Sequence, residues 1–87
     1  MIIYNLTVIW SGDCGNSNTA KNYRDKEEAM HDYNTFISEI KELGDISIIK
    51  DYEYEDGHDY CRLFVAIIDG LDQVDVALSS INLNDLL

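Results

Sequence analysis

The pattern of this 87-residue chain predicts an α+β domain in which helices cover one face of a small antiparallel sheet. Three observations carry that expectation. Apolar residues recur at every second position in several stretches, they recur at helical spacing in others, and an Asp-Gly turn signal joins two of the period-two stretches.

Along Ile2 to Trp10 the even positions Ile2, Tyr4, Leu6, Val8 and Trp10 are all apolar, while Asn5 and Thr7 interrupt the odd set. This predicts a strand with one strongly buried face. Ser11 to Asn22 is rich in Gly, Asn and Ser with almost nothing apolar, so a long loop is expected there. A helix follows over about Lys26 to Leu43. Asp25 is placed to cap it, Glu28 stands three residues later as in a capping box, and Gly44 closes it. Met30, Tyr33, Phe36, Ile37, Ile40 and Leu43 form its apolar stripe. From Asp45 the period returns to two, with Ile46, Ile48, Tyr52 and Tyr54 on one side and Asp51, Glu53 and Glu55 on the other. The alternation turns the two tyrosines toward the helix layer and the acids toward solvent. Asp56-Gly57 then signals a hairpin into Tyr60 to Ile68, a strand apolar on both faces. After Gly70, the residues Leu71, Val74, Leu78 and Ile81 keep helical spacing, and Ile81 to Leu87 is an apolar tail suited to a last edge strand.

The resulting order, βαββα(β), is most economically a ferredoxin-like arrangement with two helices on one face of a small antiparallel sheet. Its crossovers would set the first and third strands side by side in the middle and the second strand at an edge. Residues 1–87 have room for a single domain. With 46% hydrophobic residues the chain is too apolar for a disordered acidic tail. Cys14 and Cys61 do not form a disulfide framework, which favours a reducing compartment. The apolar run at the N-terminus lacks a basic flank and is too short to span a bilayer. A cytoplasmic location with no membrane contact is therefore expected.

Charge is the most informative functional feature, at 17 acids against six Lys and Arg, a formal net charge of −11. Such a surface repels nucleic acid and attracts basic protein surfaces. Two groups of carboxylates stand out. Asp51, Glu53, Glu55, Asp56 and Asp59 fall within nine residues, and Glu28, Asp32, Glu39 and Glu42 share one stripe of the helix. In the first group the strand spacing of ~6.7 Å is about half the charge density of one DNA strand, with its phosphate every ~3.4 Å, so two patches must act together to imitate a duplex. Edge protection accounts for part of the strand row and a solvated face for part of the helix stripe.

Nothing supports a catalytic, metal or cofactor motif. The run from Asp51 has carboxylates at the first, third and fifth positions of a calcium loop, but Asp56 stands where Gly is needed and Arg62 where the closing Glu belongs. Asp56, His58, Asp59 and Cys61 lack the paired spacing of a zinc site. The loop after the first strand holds no phosphate-wrapping order, and neither His31 nor His58 is placed by sequence beside Cys14.

In size, acidity and compact α+β pattern the chain resembles the small inhibitors that phages and mobile elements encode, anti-CRISPR proteins and DNA mimics among them. The likeness is one of type and transfers no residue. It implies a non-enzymatic inhibitor in a bacterial host cytoplasm that binds a basic nucleic-acid-binding protein or ribonucleoprotein of a defence nuclease complex. Such an inhibitor does not bind nucleic acid itself. The nine carboxylates named above are its candidate contacts. The alternative is a dimeric regulatory module that associates through a sheet edge or through Ile81, Leu83, Leu86 and Leu87.

Overall fold

The computed structural model describes residues 1–12 and 15–83. Its elements are β1 (Ile2–Gly12), β2 (Gly15–Tyr23), α1 (Lys26–Lys41), β3 (Ile46–Asp56), β4 (Asp59–Ile68) and β5 (Asp72–Asn82). The five strands form one antiparallel sheet in the order β2-β1-β5-β4-β3, and α1 lies across one face over β1, β5 and β2. The α+β class holds, but the order is ββαβββ with one described helix, which replaces the ferredoxin-like βαββα(β) expectation.

Three elements account for the difference. The polar stretch expected as a loop is the edge strand β2, eight of whose nine residues are exposed, with only Tyr23 buried. It is held by its backbone ladder to β1, from Tyr4↔Tyr23 to Gly12↔Gly15, and needs no apolar face of its own. The expected second helix is β5. Its helical spacing was shared by a stronger period of two, Val74, Val76 and Leu78, all fully buried. Asp69 and Gly70, both at positive φ, make a type I′ turn closed by the Leu71 amide donating to the Ile68 carbonyl at 3.0 Å. That turn sends the chain straight back along β4. As a result β5, not β4, neighbours β1 at the centre, so the first and third predicted strands are separated.

The remaining elements agree with expectation closely. Asp25 caps α1, accepting from the Glu27 amide at 3.0 Å, and the helix ends at Lys41 with Glu42 as C-cap. A Cβ on Gly44 would come 2.6 Å from the Asp69 carboxylate, whose other role is to accept from the Asp45 amide at 2.9 Å. Only glycine lets the helix exit pass the β4–β5 turn so closely. The hairpin falls where Asp56-Gly57 signalled it. Gly57 has φ 60 at the first central position and His58 does not share the positive φ, a type II′ geometry. As expected, β3 is an edge strand, and a bulge between Ile48 and Lys50 interrupts its ladder.

The core lies between α1 and the sheet. Leu6 and Val8 of β1, Val74, Val76 and Leu78 of β5, and Tyr60, Phe64, Ala66 and Ile68 of β4 meet Ala29, Tyr33 and Ile40 of the helix. Every one of these strand residues has the same parity, so the opposite face of the sheet is covered by no described element. Of the tail named in the dimer expectation, Leu86 and Leu87 lie outside the described residues, as does Cys14.

Candidate functional site

Register decides where the acidic strand points. Asp51, Glu53 and Glu55 pair with Phe64, Arg62 and Tyr60, and these residues of β4 face the helix. The acids therefore line the helix side of the outer edge, and two of them are engaged there. Glu53 accepts from the Tyr60 hydroxyl at 2.7 Å and lies 4.0 Å from Arg62, while Glu55 is 3.2 Å from Lys26. All three acids are exposed, as the alternation predicts, but Glu53 and Glu55 also hold partners on the helix side. Burial and the Glu53 carboxylate together push the Tyr60 hydroxyl above the ordinary tyrosine range. Arg62 in turn stacks on the Tyr33 ring at 4.7 Å and donates to Asn34 at 3.0 Å, so strand row and helix are tied through one guanidinium.

The helix acids fall on the other flank. Asp32 accepts from the Tyr23 hydroxyl of β2 at 2.6 Å, Glu28 acts electrostatically on the same hydroxyl, and Glu39 borders the groove between α1 and β2. Burial, then Asp32, pushes Tyr23 up to about 12. The groove, about 280 Å³ in volume, is lined by Lys21, Tyr23, Asp32, Thr35, Phe36 and Glu39. Glu42 is exposed at the helix end. The two carboxylate groups are thus not one patch: they flank α1, toward edge strands that stand four strand spacings, about 19 Å, apart.

At the hairpin tip Asp56 and Asp59 are directly cross-strand partners. Like charges in that position destabilise a ladder by a few tenths of a kcal/mol, on the order of 0.2 to 1.

The tyrosines are the main correction at the site. Tyr52 and Tyr54 are 48% and 52% exposed and point away from the helix layer that alternation assigned them to. Tyr52 reaches Cys61 on that same outer face, its hydroxyl 3.8 Å from Sγ, a contact that raises its pKa. Beside them, on the face no described element covers, are Leu63, Val65 and Ile67 of β4 and Ala77 and Ser79 of β5. Period-two alternation shows which residues share a face but not which face receives the helix. The pairing of Glu53 with Arg62 and Tyr60 settles it. Within the body of this outer face the charged residues are Lys50 and Asp75, whereas the acid excess lies on the helix side, in the turns and at the hairpin tip.

Among the described residues no three His, Cys, Asp or Glu side chains gather as a metal ion needs, and His31 and His58 are both exposed and apart in the fold. Among the described residues no helix is long and apolar enough to cross a membrane. Comparisons with protein-family models, with curated proteins and with solved structures find no match. Fold and site together define a small acidic α+β domain, a five-stranded antiparallel sheet with one helix on one face.

Proposed function

We propose that this protein is a stoichiometric binding module, without catalytic activity, whose helix-side carboxylates and acidic hairpin tip dock on a basic nucleic-acid-binding surface. The partner class is a bacterial defence nuclease complex, the anti-CRISPR type of role that the resemblance implies. The observation that supports the reading is the sorting of charge. Carboxylates flank α1 on both sides and crown the β3–β4 tip, and Asp56 opposes Asp59 at a cost to the hairpin that no edge-protection role requires. The reading has both flanking rows act together, since a single row is too sparse. Arg and Lys built to hold phosphates accept carboxylates in the same geometry.

The test is displacement of fluorescent DNA from RNA-guided nuclease complexes by the wild-type chain and by Asp51→Lys/Asp56→Lys/Asp59→Lys. Those three acids are chosen because none has a side-chain partner among the described contacts, so folding is spared. Stoichiometric displacement that weakens by at least about tenfold in the variant, and again as salt rises from about 50 to about 300 mM, is expected. Equal displacement by the variant refutes the reading.

A further inference from the structure

The uncovered sheet face is self-complementary, and from it we infer that two copies of this chain associate face to face through β3, β4 and β5. The inference is independent of the acidic docking role. Three successive levels of the face carry it. At the first, Lys50, Val65 and Asp75 are neighbours across β3, β4 and β5; at the second, Tyr52, Leu63 and Ala77; at the third, Tyr54, Cys61 and Ser79. A two-fold axis laid along β4 exchanges the flanking strands and keeps the levels. Each Lys50 then faces Asp75 of the other copy, each Tyr52 covers an Ala77 and each Tyr54 a Ser79, while Leu63 and Val65 meet their own counterparts.

Charge meets its opposite at the first level and large residues meet small ones at the second and third, as sheets packed about 10 Å apart require. The three strands are 11, 10 and 11 residues long. Only these three strands overlap about that axis, and at about 4.8 Å spacing and roughly 33 Å of length they give a footprint of about 480 Å² per copy. The total of about 950 Å² is the size of a weak, concentration-dependent association, below the ~1,200 Å² of permanent interfaces.

The net charge of −11 does not forbid this association, because the helix layers end up outside. They are separated by two sheets, more than the ~8 Å screening length at physiological salt. The exception is the hairpin tips, where Asp56 and Asp59 of both copies come to one end. Salt relieves that repulsion while screening the Lys50–Asp75 pairs, so the dimer changes less with salt than a complex with a basic partner.

Sedimentation equilibrium on the intact chain tests the inference, with circular dichroism to verify folding of each variant. The average mass of the wild type is expected to rise toward twice the monomer mass as concentration increases. Lys50→Asp and Asp75→Lys should each weaken dimerisation by about tenfold, and the double exchange should restore it, since only an intermolecular pair is repaired by the swap. Tyr52→Ala, at an exposed edge position, should weaken it likewise. A monomer at every concentration, a dimer indifferent to Lys50→Asp, or a double exchange that fails to restore association overturns the inference.

Discussion

Removing the Glu53 carboxylate measures how much of the acidic row belongs to the fold. Glu53→Ala strips the acceptor from the Tyr60 hydroxyl, at 2.7 Å, in a residue only 4% exposed. A hydrogen bond to a charged partner contributes about 1.5 to 3 kcal/mol. The Glu53 side chain is itself half exposed, so water restores part of the loss and the lower end applies. The 4.0 Å contact with Arg62 adds little, because exposed ion pairs contribute about 0 to 1 kcal/mol and Arg62 keeps its stacking on Tyr33. A destabilisation of about 1.5 kcal/mol is expected, against a total of roughly 4 to 13 kcal/mol for a chain of this length. Asp51→Ala, two residues away on the same face, should cost less than about 0.5 kcal/mol. Urea unfolding followed by circular dichroism reads both, with equal m-values as the check that only the native state has changed. A cycle with Tyr60→Phe should recover a coupling of at least about 1 kcal/mol. If Glu53→Ala and Asp51→Ala unfold at the same urea concentration, or the coupling vanishes, the row is purely a surface feature and the reasoning fails.

Two further outcomes follow from the tyrosines. The Tyr33 hydroxyl is buried with no hydrogen-bond partner among the described residues, so Tyr33→Phe should stabilise the protein by about 1 kcal/mol in the same urea assay, with loss of stability as the contrary result. Tyr23 and Tyr33, pushed up to about 12, and Tyr60, also pushed up, stay protonated in the fold at pH values where the unfolded chain ionises. Folded values above unfolded ones mean that their contribution is intact below pH 10 and is lost as pH rises beyond it, by up to about 1.4 kcal/mol per pH unit for each group. An ultraviolet titration should therefore show these three ionising together with unfolding; independent ionisation near pH 10 in a folded protein would contradict the assignment.

How much of this was legible in the chain depends on what drives each element. The strands β1 and β4, α1 with its Asp25 cap, and the Gly57 hairpin announce themselves because apolar period and turn chemistry act locally. β2 does not, since a strand made almost wholly of exposed Gly, Asn, Ser and Thr is specified by its partner's backbone. The segment after Gly70 fits both periods, and the choice is made by the Asp69-Gly70 turn, which favours immediate return along β4 over a helix. At the site, the acids were identifiable as a group, but their orientation was not. That depends on the residues opposite, Phe64, Arg62 and Tyr60, which the sequence places 13, 9 and 5 positions away from their partners.

The division of the molecule into an acidic helix side and a nearly neutral sheet face makes the two proposed associations compatible. Docking on a basic surface uses carboxylates that gain from being exposed and is weakened by salt. Pairing of sheet faces removes Tyr52, Tyr54 and Leu63 from water and gains little from long-range charge. A face-to-face dimer would turn both helix sides outward in opposite directions, with the two hairpin tips together at one end. One such dimer could then hold two basic partners, or bridge two basic sites of one assembly, with the gain in apparent affinity that linked binding gives. Failure of either association leaves the other standing, because the attractive contacts proposed for each differ: Asp51, Asp56 and Asp59 for docking, and Lys50, Tyr52 and Asp75 for pairing.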